Sequence, residues 1–272
     1  MDIIGHGVYA HRVVQLGVRE AKVVFVDSIE GLIDRLDAIV DQARLHRARY
    51  GYFAALYAHM TRAVRDGIAS GRLQDPQTAT ELDVRFGNRY LAAFEAWRSD
   101  QSFARTWDVA FAATGRPGPL VMQHLLLGIH AHVNLDLGVS TATVLRELPD
   151  RDAFQTDFFE INAIIRELVD DVQSRVNHLS PWFGLIDLLG GRADESLFDF
   201  KLTRARDWAW SFANELAALP MDQVPRRIAE VDGQMSQLAR RLASPGGWLG
   251  LAVKVVGLAE ERDVQAVLRT LS

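Results

Sequence analysis

Apolar residues recur every three or four positions along most of this chain, the spacing that lines one face of a helix. Ile29, Leu32, Ile33, Leu36, Ile39 and Val40 make the first such stripe. Asp27-Ser-Ile-Glu30 ahead of it reads as a capping box, an acceptor followed three residues later by a glutamate. A second helix is predicted over 47–69, stopped by Ser70-Gly71. Asp75-Pro76 reads as an N-cap with proline in the first turn, opening a helix with Leu82, Phe86, Tyr90, Ala93 and Trp97 on one side. Another is predicted over 102–113, before the break Gly115-Arg-Pro-Gly-Pro119. Residues 150–179 read as one long helix striped by Phe154, Phe158, Ile161, Ile165, Leu168, Val172 and Val176, ended by Ser180-Pro181. Helices over 196–219 and 221–242, and two shorter ones, complete the chain. A strand-like run at 21–26 has no partner strand. The pattern predicts an all-α, single-domain bundle over 1–272, nine or ten helices around a central one at 119–137.

That central helix is unusual. Leu120, Val121, Met122, Leu125, Leu126, Leu127, Ile129, Val133, Leu135 and Leu137 point all round it, as in a helix buried on every side. It also carries Gln123, His124, His130, His132, Asn134 and Asp136, each of which needs a partner once buried. At about 100° per residue, Gln123, His130 and Asn134 share one face. His124, Gly128, His132 and Asp136 form a second stripe on the opposite side, and Gly128 would let a neighbour come close to the backbone. In a regular helix His130 lies roughly 160° from His132, so the two cannot bind one ion. A hydrogen bond from His130 to Gln123 or Asn134 is expected instead, or a titrating role on a second wall.

His132 and Asp136 are four residues apart and stack on one face. That spacing suits two ligands on one divalent cation such as Zn, Fe or Mn. It suits equally a hydrogen bond in which Asp136 fixes the tautomer of His132, or a buried structural pair. Two other helices carry aspartates where an apolar stripe would have leucine: Asp157, between Phe154, Phe158 and Ile161, and Asp83, beside Leu82. Asn162 follows near the first, and Arg89 and Tyr90 could offer donors near the second. Buried acids of this kind either clasp a neighbouring helix or line a shared pocket. Arg204, Arg206, Asp207, Trp208 and Trp210 read as an aromatic packing face. His59, in Tyr57-Ala-His-Met-Thr61, could reach inward, and His6 and His11 have no evident partner.

Composition narrows the options. Of 272 residues 49% are hydrophobic and none is cysteine, which removes disulfides, thiolate metal sites and cysteine nucleophiles, and fits a reducing cytoplasm. A net charge of −5 offers no basic face for nucleic acid. No apolar run approaches the ~20 residues that span a bilayer, and polar residues interrupt the first 21, so no export leader is read there. No phosphate loop, dinucleotide turn or nucleophile elbow occurs.

Leu126-Leu-Gly-Ile-His-Ala-His-Val-Asn-Leu-Asp-Leu137 resembles the signature Gly-Ile/Met-Asn-Ala-His-Ile-Asn-x-Asp-Leu of domain of unknown function 5995. Leu82-Asp-Val-Arg-Phe-Gly-Asn-Arg-Tyr90, Asp157-Phe-Phe-Glu-Ile-Asn162 and Arg206-Asp-Trp-Ala-Trp210 look like further landmarks of that family, which together span residues 50–215. The resemblance points to Asp83, His132, Asn134, Asp136, Asp157 and Asn162, and His130 stands where the signature has asparagine. It implies no activity.

Three functions remain open from the sequence, and oligomeric state is not among the things it indicates. The first is a metal-dependent enzyme acting on a small molecule, with His132 and Asp136 as ligands completed by Asp157 or Asp83. The second is a cofactor-independent tailoring enzyme of specialised metabolism, working by acid–base chemistry in elimination, ring closure or isomerisation. In it Asp83, Asp157 and His130 are the catalytic candidates, and Arg89, Tyr90, Gln123, Asn134 and Asn162 the substrate-binding ones. The third is a non-catalytic binding or structural protein whose polar core sets helix register.

Overall fold

The computed structural model of the protein describes residues 25–148, 151–180 and 196–272. His6, His11, Pro181 and most of the strand-like run at 21–26 lie outside them. In chain order the helices are α1 (Ile29–His46), α2 (Gly51–Ala69), α3 (Pro76–Arg98), α4 (Arg105–Thr114), α5 (Val121–Ala131), a π-helical segment (His132–Leu137) and α6 (Gly138–Glu147). There follow α7 (Arg151–Arg166), α8 (Val169–Leu179), α9 (Ser196–Ala218), α10 (Val224–Ala243), α11 (Gly247–Val256) and α12 (Val264–Leu271). No strand occurs among the described residues, so the fold is an all-α bundle. None of its helices is long and apolar enough to cross a membrane.

Local chemistry sets the element ends, in places one step from the sequence reading. Ser28, not Asp27, caps α1: its hydroxyl accepts from the Gly31 N–H. Arg47 leaves α1 in the left-handed region at φ 48°, so α2 starts at Gly51 after a turn rather than at 47. Asp75 caps α3 as expected, accepting from the Thr78 N–H. The long helix read over 150–179 is two, with a turn at Glu167-Leu168 between α7 and α8. The apolar stripe runs on through that turn, and neither proline nor glycine marks it.

The central helix begins at Val121 and does not stop at 137: α5, the π segment and α6 form one continuous rod to Glu147. Its first half packs against α2, α4 and α10, its π segment against α3, α9 and α10, and its last part against α3 and α9. Two apolar clusters follow that division. Phe53, Trp107, Leu125 and Leu127 belong to the first; Leu135, Leu145, Phe158 and Phe212 to the second.

Two buried acids and one half-buried acid close the entrances of three helices from a distance. Asp157 on α7 accepts from the N–H groups of Gln74 and Asp75 at 2.8 and 2.7 Å, ahead of α3. Asp232 on α10 accepts from Arg105 and Thr106 at 2.8 and 2.9 Å at the start of α4. Glu260, between α11 and α12, accepts from the Val121 N–H at 3.0 Å and opens the rod. The first turn of a helix presents unpaired N–H groups and partial positive charge, so a carboxylate there satisfies donors and pins two elements together. The clasps at Asp232 and Glu260 brace the two ends of the packing around α5.

Candidate functional site

The rod carries its polar groups on two sides, and they meet different surroundings. On one side Gln123 accepts from the Leu120 N–H at 2.9 Å and donates to the Leu242 carbonyl at 2.8 Å. His130 Nε2 donates to the Met235 carbonyl at 2.9 Å, which leaves Nδ1 as an acceptor for the Asn134 amide, also at 2.9 Å. Burial lowers the His130 pKa, so the ring is neutral and both nitrogens are engaged. This side stitches the rod to α10 and stands apart from the cavity beside His132. His130 has no free atom for the catalytic role read from the sequence, and Gln123 and Asn134 are held within the same stitch.

The opposite side is built around His132. Its ring stacks on Phe86 with centroids 3.5 Å apart and planes 8° from parallel, and Tyr57 meets it edge-on at 4.4 Å. Phe53 and Trp107 close the cage at 5.7 and 6.0 Å. Phe53 can pack there because of Gly128, where an added Cβ would lie 2.3 Å from the Phe53 ring. The sequence placed a close approach at Gly128, and the approaching group is this ring.

Asp136, with 1% of its surface exposed, anchors the cage. Its Oδ1 accepts from Arg89 Nε at 2.8 Å; its Oδ2 accepts from Trp107 Nε1 at 2.7 Å and faces His132 Nδ1 at 3.4 Å. Burial pushes the Asp136 carboxyl up, but Arg89, His132 and Trp107 together hold it below its ordinary value. An ionised carboxylate only accepts, so the proton of His132 sits on Nδ1 and Nε2 carries the lone pair. Burial lowers the His132 pKa against the opposing pull of Asp136, so the ring is neutral. The π segment begins at His132 and ends just past Asp136; such wide turns recur at functional sites. The helix is therefore not regular here, yet the separation of its two histidines survives.

His132 Nε2 is buried and has no hydrogen-bond partner. The residue lines a cavity of about 70 Å³, with room for a few waters or a slim ligand group. The walls are mainly apolar, among them Met60, Val64, Leu82, Ile129 and Phe158, with Tyr57, Asp83, Asn162 and Arg206 supplying polarity. Asp83 Oδ2 and the Tyr57 hydroxyl are likewise buried without partners. Burial alone raises the Asp83 pKa to about 7, from an ordinary value of 3.8. Burial, then the negative charges of Asp83 and Asp136, push the Tyr57 hydroxyl well up, so it remains a neutral donor. An apolar cavity with a few convergent polar groups of shifted pKa is the usual form of a small-molecule site.

The metal ligand set read from the sequence does not assemble. Among the described residues no three His, Asp or Glu side chains converge to hold an ion. Asp136 faces Arg89, Trp107 and His132 instead, and Asp157 is occupied by the backbone of Gln74 and Asp75, off the cavity wall. His132 and Asp83 alone do not make a Zn, Fe or Mn shell.

The family model for a family of unknown function, DUF5995, matches residues 29–245. The chain belongs to this family. No curated protein and no solved structure matches it. The family match spans α1 to α10, and so covers every residue of the cavity.

Of the residues singled out in the sequence, Asp83, His132 and Asn162 line the cavity, and Asp136 stands behind His132. Arg89 is committed to Asp136, and Tyr90, fully buried against Phe53 and Trp107, packs the cage from outside the cavity wall. His124 is buried edge-on to Tyr52 in the α5 half, its pKa lowered to about 4 by burial and then Arg49. His59 pairs with Asp171 at 3.4 Å and does not line the cavity. The sequence reading missed Tyr57 and Arg206. Arg206 occupies the buried stripe of α9 with Ala209 and Ala213, the same anomaly that drew attention to Asp157.

Proposed function

We propose that this protein is a small-molecule enzyme working by acid–base chemistry without a metal, in the cavity beside His132. The observation that carries this reading is that two residues lining one cavity each bury an unpartnered polar atom: His132 Nε2 and Asp83 Oδ2. Asp136 orients His132 and stabilises the imidazolium formed when Nε2 takes a proton, the role of the third member in catalytic triads. Asp83, with a pKa near neutrality, holds a proton in a large fraction of molecules and can deliver it. One group removes a proton from the substrate and the other returns one, the requirement of an isomerisation, an elimination or a ring closure. The apolar walls select a mainly hydrocarbon substrate, or admit the reacting end of a larger one.

The test is conversion of a complex small-molecule extract, followed by mass spectrometry for species consumed and formed. The wild-type protein is expected to convert at least one species. His132→Ala should reduce that conversion by roughly 10²-fold or more, the usual loss when a general base is removed. Equal conversion by wild type and His132→Ala, or none by the wild type, would overturn the reading.

A further inference from the structure

The cavity contains a cation that no acid among the described residues neutralises. Arg206 is only 6% exposed and lines the wall. Its Nη1 donates to the Asn162 side-chain oxygen, a neutral acceptor, while its Nε is buried with no partner. No carboxylate among the described residues pairs with it. Burial, and then the positive charge of Arg166, lower its pKa to about 10, so at neutral pH it remains charged where charge is disfavoured. Buried charges in proteins are normally paired, because an uncompensated one loses its hydration with nothing in return.

We propose that Arg206, held in place by Asn162, is the anion-binding end of this cavity, and that its ligand is a small apolar carboxylate. The charge argument selects a carboxylate over a phosphate. One guanidinium balances one negative charge, and no other Lys or Arg among the described residues lines the cavity to balance a second. The guanidinium fork also matches a planar carboxylate, with Nε available to one oxygen. Asn162 leaves that edge free by taking Nη1. The apolar walls would hold the hydrocarbon part and present it to His132. Arg89, the cation expected from the sequence to bind an anion, cannot serve, since Asp136 already holds it. This assignment rests on the acid–base reading only for what happens after binding.

The probes are phenylacetate and hexanoate, each against its neutral isostere, phenylacetamide and hexanamide, read by thermal shift and by calorimetry on the full chain. The carboxylates are expected to bind and stabilise the wild type at least tenfold more strongly than the amides. Arg206→Met should abolish that preference, and Arg206→Lys should restore part of it. In the absence of ligand, Arg206→Met is expected to melt no lower than the wild type, because it removes an unpaired buried charge. Should Arg206→Met fold poorly, Asn162→Ala gives a second measure, with a weakened carboxylate preference expected. Equal binding of acid and amide, binding of neither, or a carboxylate preference untouched by Arg206→Met would each overturn the inference. Failure of the acid–base reading is separable: the preference for acid over amide should persist in His132→Ala, whatever its absolute affinity. Arg206-dependent binding alongside undiminished conversion by His132→Ala would sink that reading and leave this one standing.

Discussion

His130 and His132 stand two residues apart on one rod, both buried, both neutral, each with a hydrogen-bonding residue four positions on. Their situations differ in one respect. Around His130 every polar atom of the ring has a partner, and the partners are a backbone carbonyl and an amide that cannot take up a charge. Around His132 one nitrogen is held by an ionised carboxylate and the other is buried without a partner, in a residue that lines the cavity. The first arrangement makes histidine a rigid bracket between helices. The second has the two elements of a base, a fixed tautomer and an open lone pair. What separates bracket from base is the partner of each nitrogen, not the depth of burial.

The largest effect that would sharpen this contrast is expected at Asp136. Asp136→Ala leaves Arg89, Trp107 and His132 without their shared acceptor, and a loss of about 3–5 kcal/mol is expected in urea unfolding. A loss under about 1 kcal/mol would show that the His132 side is held together by its aromatic cage alone.

Next in size is the pH dependence contributed by Asp83. Its pKa is near 3.8 in the unfolded chain and about 7 when folded, so between those values the folded state holds the extra proton. Stability from this group therefore falls as pH rises from about 4 to about 7, by up to about 1.4 kcal/mol per unit, and is level above. The buried neutral histidines act in the opposite sense below their ordinary pKa, so the informative quantity is the wild type minus Asp83→Asn difference. That difference should move against the wild type across this window. A flat difference would mean that Asp83 is solvated or paired in solution.

The smallest effect belongs to the bracket. His130→Asn loses the bond to the Met235 carbonyl and should cost about 1 kcal/mol in the same unfolding measurement. Conversion and its pH profile should be unchanged. A shifted pH profile would place His130 in the chemistry and erase the distinction between the two sides.

Much of this was legible before the structure. A helix apolar on every side yet carrying six polar residues announces a buried polar network, and the four-residue spacing pairs His132 with Asp136 whatever surrounds them. The same logic found Asp83 and Asp157, but these two acids had opposite fates. Asp157 meets the N–H groups of Gln74 and Asp75 and is a clasp; Asp83 meets the cavity. Nothing in their flanking residues distinguishes them. Arg206 was read as part of an aromatic packing face with Trp208 and Trp210, although its own place on the stripe of Ala209 and Ala213 was an equal warning. The π segment at 132–137 was also invisible, since an apolar pattern that covers every side of a helix has no phase for a widened turn to disturb.

Helix content, the buried rod and the His132–Asp136 pair are therefore properties of the sequence alone, because helical period and four-residue stacking are local and need no knowledge of what packs outside. Which histidine stays open, which aspartate stays free and where an unpaired arginine points were decided by tertiary structure. A polar group on one helix is satisfied or left vacant by atoms of another, and only the packing of α2, α3, α4, α9 and α10 around the rod brings those atoms within a hydrogen bond's length or holds them apart.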